Sequence, residues 1–169
     1  LPNYVAEAGA VHPADDLPGV PGRRLVCVAN IRPQKDHVSL VRALAEVRRS
    51  VPDAHALLVG APVDAALTRQ VDEESRRLGV ASALSLLGGR ADVAAVLAAC
   101  DLGVLSSTSE GFPLALLEYG TARLPVVATD VGECAEILDH GAAGRLVPPG
   151  RPAELAEAIV EVLERADAG

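Results

Sequence analysis

Apolar residues along this chain fall into two kinds of block that take turns. Short, mostly apolar runs at residues 25–29, 54–59, 84–87, 102–105, 125–129 and 144–147 stop at Gly, Asn, Ser, Asp or Pro. Runs of this length between turn formers read as strands buried on both faces. Between them the spacing changes. Val38, Leu40, Val41, Leu44, Ala45 and Val47 recur at helical intervals, and a second helix over 65–78 is stopped by Gly79. Asp92 stands where it would cap a helix running to Ala99. Further helices are predicted over 114–122, 134–138 and 152–165. The last puts Leu155, Ala158, Ile159, Val162 and Leu163 on one face and Glu154, Glu157, Glu161 and Glu164 on the other, an acidic row that reads as a solvated face. Strand and helix alternate throughout. That predicts an α/β fold: a Rossmann-like, doubly wound parallel sheet of about six strands with helices on both faces. Residues 1–22 show no period and several Pro and Gly, so they read as a linker or lead-in loop to a domain over 23–169.

Ligands of such sheets bind beyond the carboxyl ends of the strands, and the candidate chemistry gathers at those ends. The run Ser109-Glu110-Gly111-Phe112-Pro113-Leu114 leaves the strand over 102–105 and opens the helix over 114–122. Pro113 fits a helix start, where its missing N–H would be unpaired in any case. The helix is apolar nearly all round, which predicts burial. Glu118 is the exception, and a carboxylate there needs donors or solvent. A glycine-bearing turn and a helix N-terminus offer an anion seat of free N–H groups with a partial positive charge. Glu110 and Glu118 flank it, and carboxylates accept strong hydrogen bonds from sugar hydroxyls.

Two cations, Arg32 and Lys35, follow the strand over 25–29 in the segment Asn30-Ile31-Arg32-Pro33-Gln34-Lys35, placed to neutralise a pyrophosphate. After the strand over 84–87, Gly88-Gly89-Arg90 allows the backbone to approach a flat ring closely. His12, His37 and His55 show no metal-ligand spacing, and His140, in the turn Asp139-His140-Gly141, is expected to face solvent. Neither the Gly-x-x-x-x-Gly-Lys-Ser/Thr phosphate loop nor Gly-x-Gly-x-x-Gly after the first strand is present, which counts against ATPases and simple dinucleotide enzymes.

Composition narrows the partners. A net charge of −8 and only two tyrosines and one phenylalanine argue against nucleic acid, which needs a basic footprint and stacking surfaces. Cys27, Cys100 and Cys134 are scattered in apolar surroundings and read as small buried hydrophobes of a reducing compartment. No apolar run approaches the ~20 residues of a membrane span. The chain begins at Leu1, and reads as a fragment.

The pair Glu110 and Glu118, with seven residues between them in the setting Ser-x-x-Glu-Gly-Phe-Pro, resembles the signature of the family-four retaining glycosyltransferases, which adopt the GT-B fold. The likeness runs from Leu1 to Glu164: a Pro-Asn pair at the domain crossover, the loop carrying Lys35, the loop of Gly89 and Arg90, and a segment after the fifth strand through Gly132, Glu133 and Glu136. The chain departs from the family at Asn30, where an arginine is usual. Either Arg32 reaches the phosphates from a shifted place, or Lys35 and backbone amides do the work.

The resemblance implies the carboxyl-terminal, donor-binding half of a GT-B enzyme, with an acceptor domain preceding Leu1. Such an enzyme moves a sugar from a nucleoside diphosphate sugar to an acceptor hydroxyl with retention and without a bound metal or other cofactor, in polysaccharide or glycoconjugate synthesis. Half of the site cannot position an acceptor, so the fragment alone is expected to be inactive. By the same resemblance Lys35 and Glu110 are the catalytic candidates. Arg32, Lys35, Gly89, Arg90, Glu110, Gly111, Phe112, Pro113, Leu114 and Glu118 are the donor-binding ones, with Glu110 on sugar hydroxyls and Glu118 on the ribose diol. A cytoplasmic enzyme is implied, with any peripheral membrane association made through the preceding domain. The alternatives are a nucleotide-sugar epimerase on the same fold, which would need no acceptor, and a non-catalytic nucleotide-sugar-binding module.

Overall fold

The computed structural model describes residues 13 to 168. The expected crossover at Leu1 to Tyr4, and His12, lie outside the described residues. Six parallel strands form one sheet: β1 (Arg24–Val28), β2 (His55–Val59), β3 (Leu84–Gly88), β4 (Leu102–Leu105), β5 (Val126–Thr129) and β6 (Arg145–Val147). Their order is β3-β2-β1-β4-β5-β6, so the chain changes direction across the sheet between β1 and β4. Helices α1 (His37–Ser50), α2 (Ala65–Arg77) and α6 (Pro152–Asp167) pack on one face, and α3 (Val93–Ala98), α4 (Leu114–Thr121) and α5 (Cys134–Ile137) on the other.

This two-sided cover is why the strands are continuous apolar runs. Successive side chains point to opposite faces, and each face has its own core. Leu25 and Cys27 of β1 join Leu40, Leu44 and Ile159 on one side. Val26 joins Leu57, Leu116 and Tyr119 on the other. All three cysteines are free and buried. The edge strands β3 and β6 are only partly covered.

The lead-in segment packs on the domain over its described part. Leu17 enters the core beside Val96, and the Arg24 guanidinium donates to the carbonyls of Leu17, Pro18 and Gly19. Two local expectations fail. Helix α4 is half-exposed: only Leu116 and Tyr119 are buried, because its other flank faces open space, where Leu114 is 38 % exposed. Asp92 sits at the N-cap of α3 but its side chain caps nothing. A guanidinium two residues away is the stronger attraction: Arg90 Nε and Nη2 donate to Asp92 Oδ1 and Oδ2 at 2.8 and 2.6 Å. The acidic row on α6 is solvent-facing except at Glu161, which accepts from Arg145 and Arg165.

Candidate functional site

The carboxyl ends of β1, β2 and β4 open into a cleft of about 560 Å³. Arg32, Lys35, Gly89, Arg90 and Glu110 line it. So do Phe112, Pro113, Leu114 and Glu118. Loops far apart in sequence thus meet, as their places at strand ends require. Gly111 stands just outside the wall, its carbonyl accepting the Glu133 N–H at 3.3 Å. A larger groove of about 680 Å³ lies between α1 and α6, but there Glu46 and Arg49 pair with each other and Glu161 with Arg165, away from the strand ends.

Hydrogen bonds between the β1 and β4 exits hold the site together. The Thr108 N–H donates to the Gln34 carbonyl at 2.8 Å, and the Ser106 hydroxyl to the Lys35 carbonyl at 3.0 Å. The buried Thr129 hydroxyl donates to the Ser107 carbonyl at 2.6 Å. Lys35 is thereby set against Glu110: its Nζ donates to Glu110 Oε1 at 2.5 Å, and the Ser107 hydroxyl donates to the same oxygen at 2.6 Å. The Lys35 and Glu110 side chains are 22 % and 7 % exposed. Glu110 Oε2 has no partner among the described residues.

Gly132 supports this loop from the β5 side. Its φ is +52°, and a Cβ there would meet the Glu110 carbonyl oxygen at 2.0 Å, so only glycine fits. Asn30 is also occupied. Its Oδ1 accepts the Ala61 N–H at 2.8 Å and ties the exits of β1 and β2 together. Asp36 takes a left-handed conformation, φ 47°, ends the turn at Pro33–Lys35 and caps α1 through the Ser39 N–H.

Several groups in the cleft are uncommitted. Arg32 is exposed and makes no side-chain hydrogen bond or ion pair to the described residues. No side chain caps α4, and the N–H groups of Leu114 and Ala115 donate to none of the described residues. Glu118 is half-buried without a partner among them, and burial raises its pKa above the ordinary value. Phe112, 53 % exposed, adds an apolar surface at the rim. Behind the wall, His37 is fully buried, and neither ring nitrogen is hydrogen-bonded to the described residues. Burial lowers its pKa to about 4, against the nearby Ala29 carbonyl, which favours the charged form.

The loops and their charged residues are legible in the sequence. Ser106, Ser107 and Thr129 have no individual role assigned from sequence, although the pair Ser106-Ser107 closing an apolar strand signals polar groups at a buried end. His140 is exposed, as expected.

The architecture is that of a doubly wound α/β domain, with cations, amides and carboxylates gathered at its strand ends. The comparisons give the family. A model described as Glycosyl transferases group 1 matches residues 22–165, and the chain belongs to that family. It is 31 % identical over 140 residues to N-acetyl-alpha-D-glucosaminyl L-malate synthase of Bacillus anthracis, covering 83 % of this chain and 36 % of that protein. It is 33 % identical over 150 residues to D-inositol 3-phosphate glycosyltransferase of Nocardia farcinica, covering 85 % and 33 %. The chain thus spans about a third of the length of these relatives. Among solved structures, HepE of Anabaena in complex with UDP and glucose superposes with a TM-score of 0.82 at 30 % identity, over 87 % of this chain and 40 % of that one. WaaG, a glycosyltransferase of lipopolysaccharide biosynthesis, superposes with a TM-score of 0.77 at 26 % identity, over 86 % and 39 %. The expected GT-B, Rossmann-like domain is therefore the observed one.

Proposed function

We propose that this chain is the donor-binding part of a retaining glycosyltransferase that moves a sugar from a nucleoside diphosphate sugar to an acceptor hydroxyl in polysaccharide or glycoconjugate synthesis. One observation carries the reading. The cleft at the strand ends joins Arg32, Lys35 and uncapped helix amides with a half-buried carboxylate, Glu118, that has no partner among the described residues. Cations and amides suit a diphosphate, and a desolvated carboxylate suits a ribose diol. UDP and UDP-glucose complexes of the HepE neighbour support it. The Glu110 and Glu118 spacing of the resembled family supports the retaining mode.

In the transfer the bond between the anomeric carbon and the diphosphate breaks, the leaving oxygen gains negative charge, and the acceptor oxygen bonds to the same face as its hydroxyl proton passes to the departing diphosphate. Lys35, Arg32 and the amides of Leu114 and Ala115 stabilise the departing charge by preorganised electrostatics. Glu110 Oε2 receives hydroxyls of the donor sugar while Oε1 stays with Lys35 and Ser107. In this reading the charge is met by protein groups, without a metal. The acceptor is held by a domain outside this chain, so the chain binds donor but transfers nothing by itself. Three buried thiols suit a reducing, cytoplasmic setting, and no helix among the described residues is long and apolar enough to cross a membrane.

Calorimetric titration with UDP, GDP and ADP, with and without a chelator, tests the reading. Saturable binding of at least one diphosphate that survives chelation is expected. Binding of none overturns the donor site, and binding abolished by chelation overturns the metal-free part.

A further inference from the structure

The ladder between β1 and β4 stops before the strands do. Paired residues are Leu25↔Leu102 and Val26↔Gly103, although the strands run on to Val28 and Leu105. In a parallel ladder of this register, with the Gly103 N–H turned to β5, the next bond would run from the Val28 N–H to the Val104 carbonyl. The Tyr119 hydroxyl occupies that place. It accepts the Val28 N–H at 2.8 Å and lies 3.1 Å from the Val104 carbonyl and 3.3 Å from the Val26 carbonyl, donating its one proton to either. Tyr119 is fully buried, and burial pushes its pKa far up, so the phenol stays neutral and both donates and accepts. Gly103 makes the room: a Cβ there would meet the Tyr119 ring at 2.6 Å.

A side chain from α4 therefore parts two strands where the sheet order reverses. Val28, Ala29, Leu105 and Glu118 line the cleft just beyond this point, and Glu118 is the residue before Tyr119. We propose that Tyr119 is a positioning residue for the donor cleft: by replacing one β1–β4 ladder bond with its hydroxyl, it holds the strand ends apart and fixes the rotation of α4 that turns Glu118 into the cleft. The inference rests on the donor-site reading above. Tyr119 meets no ligand itself and acts through the carboxylate beside it.

A tyrosine that served stability alone would change melting and leave ligand preference untouched. The test is therefore a ratio. Affinities for UDP, GDP and their 2′-deoxy forms are measured on the unmodified chain, Tyr119→Phe and Gly103→Ala. The unmodified chain should prefer the ribose form of its nucleotide by at least about tenfold, the value of a hydrogen bond to a charged acceptor. Tyr119→Phe removes the bridging hydroxyl and should cut that preference below about threefold, by the loss of that same bond. Gly103→Ala keeps the hydroxyl but drives the ring off its seat, and should cut the preference likewise. It also carries the test should Tyr119→Phe fail to fold. A ribose preference within twofold of the unmodified value in the folded variants overturns the positioning role. No binding of UDP or GDP by the unmodified chain is a different result, which overturns the donor-site reading and the inference with it.

Discussion

Lys35→Ala should damage the fold and the ligand site in separable ways. Lys35 and Ser107 are the donors to Glu110 Oε1, at 2.5 and 2.6 Å. Removing the ammonium leaves a carboxylate only 7 % exposed with one neutral donor. Breaking a fully buried pair costs about 3–5 kcal/mol. Lys35 keeps some contact with water, so about 2–3 kcal/mol is expected here, a fall in Tm of about 5–10 °C for a domain of this size. Diphosphate binding should lose a charge-assisted hydrogen bond, about 1.5–3 kcal/mol, or roughly 10- to 150-fold in Kd, and the uncovered Glu110 adds repulsion. Adding Glu110→Gln removes the orphaned charge. The double variant should regain most of the Tm while the diphosphate remains weak. Arg32→Ala removes an exposed cation with no partner among the described residues, so stability should stay within about 0.5 kcal/mol and the diphosphate loss should be the smaller one. Thermal scans and calorimetry with UDP and uridine at fixed ionic strength read all of this. Equal losses of UDP and uridine in Lys35→Ala, a larger UDP-selective loss in Arg32→Ala, or a Tm that Glu110→Gln does not restore would each refute the reasoning.

Three further outcomes follow from the site. Glu118→Gln should weaken UDP by about 1–3 kcal/mol yet raise stability near neutral pH. The raised folded pKa of Glu118 means its charge destabilises the fold, a penalty absent below the ordinary pKa of 4.5 and complete above the raised one. The gain in Tm should vanish at pH 4, and a gain that is the same at both pH values counts against the desolvated carboxylate. Gly132→Ala should displace the Glu110 loop, lowering UDP affinity and accelerating amide exchange at Glu133. Unchanged affinity would mean that the loop absorbs the added methyl. His37 titrates near 4 in the fold and at 6.5 unfolded, so it removes stability as pH falls through that window, about 3 kcal/mol in all. Denaturant titrations of His37→Leu should show a pH 7 to pH 4 loss smaller by about that amount, and an equal loss would show His37 charged in the fold.

Much of this was legible in the sequence because both sheet faces are covered. Burial on two sides turns each strand into an apolar run, and β4 and β5 fall where the runs do. The site loops were legible because ligands of such sheets meet strand ends, and Lys35, Glu110 and Glu118 stand there. What stayed hidden depends on partners distant in sequence. Tyr119 reads as one more apolar position on α4, and only the packed sheet puts its hydroxyl into the β1–β4 ladder. Asn30 reads as a lost arginine, whereas its side chain holds the Ala61 amide. Asp92 has a capping position but an arginine within reach, and the ion pair prevails. The composition of helix α4 predicts burial, but one flank looks onto the cleft, where apolar Leu114 and Phe112 are left uncovered.

The central claim is that the donor nucleotide sits at the carboxyl ends of β1, β2 and β4. Titrating the isotope-labelled chain with UDP and following backbone amide resonances tests it directly. The shifts should concentrate at residues 30–35, 89–90 and 110–118 and should shrink in Glu118→Gln at the same sub-saturating ligand concentration. Shifts gathered instead along the groove between α1 and α6, or none at millimolar UDP, would contradict it.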